Sequence, residues 1–429
     1  MSICGYEIDV DALAEDYFGD KPLSWERWEQ ISDTGSLNTY SCQRTTWKDS
    51  DRCVWHAESD YKPIEDFDEQ SADEPERLDG AKISNLDARF DFENCSLQQA
   101  EFRNVELEHS NFKDADLRGV EFIEYCNFQG SDFQNARLED AEASGVNFSS
   151  CNFHNAELLG DFSDALFSGA DLSKSKLGTN FSESSFYNSD LTDCNAQRVD
   201  FSGASLGGAN LTRADIREAT LQGARLYQAQ LSDIQINDRT DFGKKTVYET
   251  DEDIDIIIDT SWNVHRFEAA AWVYKRLQSI CQDHALSSKA REFHVRKREA
   301  RRKLAWSQHD LFSIVVSETD RIFTRHGESS RRVLGWSFGT ILTSTLFYAI
   351  GGVSYDDRIY TLYLEQSMED VFYTISMSLY FSISSFSTGG YGDVLPASDL
   401  SRVVAGFESL VGTLFIALFI FVLGRRVTW

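Results

Sequence analysis

From about residue 83 the chain repeats with a period of five. A large apolar residue recurs at Leu97, Phe102, Leu107, Phe112, Leu117 and Phe122. After a one-residue slip the series resumes at Phe128, Phe133 and Leu138, and later runs Leu206, Leu211, Ile216, Leu221, Leu226, Leu231 and Ile236. A small residue sits two positions before each, as at Cys95, Ala100, Val105, Ser110 and Ala115, and again at Ala204, Ala209 and Ala214. Such a period fits neither an α-helix nor a β-strand. It predicts a repeat architecture with both residue types turned inward and a polar exterior of Asp, Asn, Ser, Glu, Gln and Arg.

The last hundred residues follow a different pattern. Val333–Gly352 is an uncharged run, and Val403–Gly424 is a run with one charge, Glu408. At about 1.5 Å rise per residue each is long enough to cross a hydrocarbon core of roughly 30 Å. Between them Val371–Phe386 is apolar but too short to cross and return, and Ser367 and Asp370 offer an N-terminal cap. This predicts a re-entrant helix, tolerated at membrane depth only where protein or water surrounds it. Arg321, Arg325, Arg331 and Arg332 precede the first run, and Arg425 and Arg426 follow the second, whereas Ser354–Asp370 is acidic. The positive-inside rule then predicts two spans in the cell membrane with both termini cytoplasmic. The start, MSICGYEIDVDALAEDY, shows no basic or apolar leader, which agrees.

These patterns divide the chain into residues 1–80, an acidic cap of unassigned fold; 81–242, the repeats; 243–330, a helical cap and linker; and 331–429, the membrane part. Trp25, Trp28, Trp47 and Trp55 predict packed structure in the first. In the third, Ser261–Ala285 reads as a helix suited to cover an open solenoid end, after an acidic linker at Glu249–Asp259. Lys289–Lys303 carries eight Lys or Arg, a helix suited to anionic headgroups or to the acidic repeats, or simply a solvated face. Leu311–Phe323 is amphipathic and suits the membrane interface, although Glu318 and Asp320 lie on its polar face.

Copies such as Ala209-Asn210-Leu211 and Ala170-Asp171-Leu172 resemble the pentapeptide-repeat family. The resemblance implies a right-handed quadrilateral β-solenoid with four pentapeptides per coil. Residues 95–238 then supply about seven coils, a rod of roughly 34 Å at the spacing of neighbouring strands.

The order span, short helix, Thr388-Gly389-Gly390-Tyr391-Gly392-Asp393, span resembles the two-transmembrane potassium channel pore, with its filter at 387–393. Pro396, Gly412, Tyr380 and Phe381 also fit that family. The resemblance implies an all-α homotetrameric pore that passes K+ without catalysis. Backbone oxygens of Thr388, Gly389, Gly390 and Tyr391 would replace the ion's hydration shell. Gly392, Asp393, Tyr380 and Phe381 would support the filter. Gly412 would be a hinge or packing glycine of the inner helix, and Ile416 and Ile420 would line an apolar gate. Two positions depart from the family: the usual Val is Gly389, and the acidic brace found in some relatives is Ser384. Both bear on K+ over Na+ selectivity. No arginine-rich sensor span precedes the pore, so steep voltage dependence is not expected. The repeats would be a regulatory or docking module for an unidentified cytoplasmic partner.

The net charge is −29, and Arg outnumbers Lys by 28 to 13. Such acidity repels nucleic acid. It suits the salt-rich cytoplasm of a halophilic archaeon, or an acidic interaction surface. Cys42, Cys53 and His56, with Cys4, form a sparse zinc-type ligand set, against the alternative of a small metal-free cap. Cys95, Cys126, Cys151 and Cys194 occupy the small inward position, and a reducing cytoplasm argues against disulfides. No nucleotide fingerprint and no catalytic constellation appears. Two other readings remain: a membrane-anchored acidic scaffold with a silent or non-selective pore, and a DNA-mimicking rod.

Overall fold

In the computed structural model the described residues are 7–9, 39–41, 48, 55–57, 62, 67, 77–250, 264–363, 366–390 and 392–427, with backbone alone for 7–9, 39–41 and 425–427. They fall into two compact units, divided between Trp262 and Asn263.

The first unit is built by the five-residue pattern. Every large apolar residue of the series from Leu97 to Leu138 is buried. In Asn111, Asp132, Asn152, Asp171, Asp190 and Asn210, each just before an inward Leu or Phe, the side-chain oxygen accepts the N–H of the residue two further on, at 2.9–3.1 Å. This Asx turn is why Asp or Asn recurs there. The residue two after the inward one adopts a left-handed conformation, as at Gln99, Asp114, Asn135, Asn155 and Asp193, which bends the chain at each corner. Successive coils then pair in parallel: one ladder runs through Arg77, Ser96, Asp116, Arg137, Glu157, Lys176, Asn195, Asp215 and Gln235. A six-stranded parallel sheet forms along one face, β3 (Lys82–Ser84), β4 (Glu101–Glu106), β5 (Glu121–Asn127), β6 (Arg137–Glu142), β7 (Glu157–Asp161) and β8 (Lys176–Asn180). The one-residue slip after Phe122 is absorbed there, in the seven-residue β5 and a register shift between Arg103 and Val105. A short antiparallel pair, β1 (Glu7–Asp9) with β2 (Thr39–Ser41), precedes it.

Inside, phenylalanines stack one coil apart: Phe112 on Phe133 at 4.7 Å and Phe133 on Phe153 at 4.8 Å, with their planes nearly parallel. Ser at the small position is satisfied by backbone: the hydroxyls of Ser175 and Ser189 donate to the carbonyls of Leu172 and Phe186, and that of Ser110 accepts from the Phe90 N–H. Burial pushes the Cys151 and Cys194 thiols up to about 12. Trp55, Ala57 and Phe67 are buried at the N-terminal end, with Trp55 edge-on to Phe67, Phe90 and Phe92, so part of residues 1–80 covers the first coil. At the other end Tyr248, on the single turn α1 (Val247–Thr250), is buried and its hydroxyl accepts from the Tyr227 N–H at 3.0 Å.

The second unit is mostly helical. Helices α2 (Arg266–Asp283) and α3 (Ser287–Ser307) form a hairpin with Tyr274 stacked on Phe293. Helix α4 (Leu311–Thr324) is capped by Asp310 and ends in three left-handed residues, Arg325, His326 and Gly327. That elbow leads into α5 (Ser330–Gly351). A short sheet of β9 (Val353–Tyr355), β10 (Arg358–Tyr360) and β11 (Val394–Pro396) lies between the long helices. Helix α6 (Met368–Phe386) and helix α7 (Asp399–Val427) complete the unit. Helices α5 and α6 begin three residues before the bounds expected at 333–352 and 371–386, and α7 extends at both ends past 403–424, because polar caps and arginines continue the helical backbone past the apolar runs.

Many of the basic side chains of α3 are engaged within the unit. Arg298 pairs with Asp320 at 2.8 Å, and Arg302 with Glu299 and Glu318 at 2.6 and 2.7 Å. The acids that interrupted the amphipathic reading of α4 are therefore turned to α3. Its apolar residues Leu311, Phe312, Val315, Val316 and Ile322 are left exposed.

Candidate pore site

The short helix α6 is capped by Ser367, whose hydroxyl accepts from the Asp370 N–H at 3.2 Å. At its far end the chain turns over the last carbonyls: the N–H groups of Ser387, Thr388 and Gly389 reach the carbonyls of Ile383, Ser385 and Ser384. Thr388 takes a positive φ of 56° and Gly392 one of 74°, values that glycine adopts freely and threonine resists. Thr388 Oγ1 donates to the Ser387 carbonyl at 2.7 Å. Ser387, Thr388, Gly389 and Gly390 are exposed in the single chain, with open space around Gly390. Tyr391 lies outside the described residues.

The exit of this loop is anchored. Tyr380 donates its hydroxyl to Asp393 Oδ2 at 2.9 Å, and Asp393 Oδ1 accepts the Val394 N–H at 3.0 Å. Val394 opens β11, which pairs with β9 directly after α5. Phe381 is buried edge-on against Tyr348 of α5, with ring centroids 4.8 Å apart. Ser384 is buried and accepts through its carbonyl, so it holds the turn by its backbone.

Helix α7 meets α6 through Glu408 and Gly412. A Cβ on Gly412 would lie 2.1 Å from the Phe386 carbonyl oxygen, so only glycine allows this approach. Glu408, the one charge of the second apolar run, is fully buried and accepts from Ser382 at 2.5 Å and Tyr348 at 2.7 Å. Ile416 and Ile420 are exposed one turn apart. Sequence reasoning missed the β9–β11 sheet, whose hairpin turn is Asp356-Asp357, both left-handed. Its signal was the paired acids between Tyr355 and Arg358, without the glycine that usually marks such turns. Of the zinc-type set, Cys4, Cys42 and Cys53 lie outside the described residues. His56 is buried, with Nε2 3.0 Å from the Asp79 carbonyl oxygen.

Comparison with known proteins matches the family models to the parts just described. Residues 88–162 match a pentapeptide repeat region, 161–203 and 197–233 match pentapeptide repeats, and 336–428 match an ion channel family. No curated protein matches the chain. Solved structures similar to it include QnrB1, a plasmid-mediated fluoroquinolone resistance protein, at 18% identity over 38% of this chain and 89% of that one, TM-score 0.28. Another is a pentapeptide repeat protein of the Arabidopsis thaliana thylakoid lumen, at 25% identity over 22% and 72%, TM-score 0.19. HetL, involved in heterocyst differentiation regulation in the cyanobacterium Nostoc, matches at 21% identity over 39% and 87%, TM-score 0.20. The chain carries a pentapeptide-repeat domain and an ion channel domain.

Proposed function

We propose that this chain, which joins a pentapeptide-repeat β-solenoid to an ion channel domain, is one subunit of a tetrameric potassium channel of the cell membrane. The observation that carries the reading is the Thr388–Asp393 loop, set at the end of a short helix between two spans and tied at its exit by Tyr380 and Asp393. A ring of carbonyl oxygens needs four such loops, since one chain supplies a quarter of it. The exposed faces of α5 and α7 support the membrane assignment. Leu334, Phe338, Leu346, Val403, Phe407, Leu414 and Phe421 all face outward from the chain, which a soluble core helix would not allow. Helix α4, with its acids held by α3, lies in the headgroup interface on the cytoplasmic side. Both termini are cytoplasmic, and the solenoid regulates or docks there. The acidity suits a salt-rich cytoplasm. A thermal midpoint that does not rise between dilute and multimolar salt would remove that part of the reading.

The test is the reversal potential of the purified protein in planar bilayers with K+ on one side and Na+ on the other. A current reversing near the K+ equilibrium value and abolished by Tyr391→Ala supports the proposal. Reversal near zero replaces it with a non-selective pore, for which Gly389 is the specific ground. Silence at every salt, pH and voltage returns the scaffold reading.

A further inference from the structure

The seam between α6 and α7 is closed by two contacts in matching register. Glu408 meets Ser382 and Gly412 meets Phe386, each pair four residues along its own helix. The second contact is backbone against backbone. The first is a carboxyl placed where an apolar side chain would pack at no desolvation cost, and a carboxyl at membrane depth is expensive unless it is well partnered. Glu408 is 0% exposed. Its two oxygens each take one hydroxyl, Ser382 from α6 and Tyr348 from α5, and buried Ser344 of α5 faces the same group. A single side chain thus joins all three helices of the domain.

The placement relative to the filter gives this clasp a consequence. Ser382 lies on α6 between Tyr380, which holds Asp393 at the loop exit, and Ser384 and Ser385, whose carbonyls hold its entry. Phe381, beside it, rests on the ring of Tyr348, the same residue that donates to Glu408. Shifting α6 against α7 therefore moves both ends of the loop together. We infer that Glu408 is a positioning residue for ion discrimination: through Ser382 and Tyr348 it sets the register of the pore helix, and with it the spacing of the filter oxygens, without meeting the ion. The inference rests on the channel reading above.

Two substitutions separate positioning from packing. Glu408→Gln keeps an acceptor for Tyr348 and supplies an N–H to Ser382, whose own proton then turns to the Ile341 carbonyl 2.9 Å away. Glu408→Leu fills the same space and makes no hydrogen bond. Both are read in purified full-length protein by the K+/Na+ permeability ratio in bilayers and by the K+-dependent rise in thermal midpoint, since an ion bound only by the folded pore stabilises it. Glu408→Gln is expected to match the wild type in both. Glu408→Leu is expected to lower the ratio on the order of tenfold and to lose the K+-dependent rise while still assembling. Should the Leu variant fail to assemble, the Ser382→Ala, Tyr348→Phe pair removes the links to α6 and to the Tyr348 ring with the carboxyl and Ser344 in place, and the same losses are expected. Assembled Leu or paired variants with the wild-type ratio and rise would overturn the role of Glu408 alone. A wild type with neither current nor K+-dependent rise would overturn the channel reading and this inference with it.

Discussion

At the residue scale, glycines decide what the pore loop and its seam can tolerate. A Cβ built at Gly389 meets only Ser387 Oγ, at 3.3 Å, and the backbone there is not left-handed. A side chain therefore fits, and it would stiffen a Gly-Gly pair that is otherwise free to move. Gly389→Val is expected to raise K+/Na+ discrimination, measured as the permeability ratio, and an unchanged ratio would count against a floppy filter. Gly412 is the opposite case. Gly412→Ala drives a methyl into the Phe386 backbone and is expected to cost roughly 1–3 kcal/mol, read as a lower thermal midpoint. Gly406→Ala on the same helix, where nothing lies within 4 Å, is the matched control and is expected to change little. The inward thiols give a third expectation. With Cys151 and Cys194 pushed up to about 12 by burial, they should ignore thiol reagents until the chain is denatured.

At the scale of elements, the junction of α3 with α4 is the contact most open to test. Burial favours the neutral form of Asp320 and Glu318, yet hydrogen bonds hold both carboxyls below their ordinary range. Asp320 has His326, Thr324 and Arg298, and Glu318 has Trp306, Arg321 and Arg302. A carboxyl lowered in the folded state contributes stability that is present above its ordinary value and lost as pH falls through the folded one. The thermal midpoint should thus be level near neutrality and fall below about pH 4. Asp320→Asn with Glu318→Gln should lower the midpoint at neutral pH and flatten the acid limb. The same junction releases the apolar face of α4. Phe312, 79% exposed, offers a reporter: in Phe312→Trp the indole is expected to be quenched by brominated lipid, and an unquenched indole would move α4 off the membrane.

At the scale of the whole molecule, two kinds of order share one chain. The solenoid could be read from its sequence because its contacts repeat: each inward residue meets the equivalent residue one coil away, so a local pattern states a global fold. Even its polar position is legible afterwards, since Asp or Asn before each inward residue closes the same turn in coil after coil. The channel domain was legible where one segment suffices, in two apolar runs long enough to cross a membrane and in the Ser367 cap. Its partners across segments were not legible. Nothing near Glu408 in sequence announces Tyr348 or Ser382, and nothing near Asp393 announces Tyr380, because those pairs arise only when helices cross. The basic residues of α3 read as a surface for lipid or solenoid or as a solvated face, and packing spends two of them, Arg298 and Arg302, on the acids of α4. The sequence by itself determined what depends on periodicity, length and local caps: the coil, two helices long and apolar enough to cross a membrane, and the capped helix between them. Tertiary structure decided which polar groups meet inside the pore unit, because a buried carboxyl or hydroxyl takes the partner that packing brings within reach, and sequence distance does not measure that.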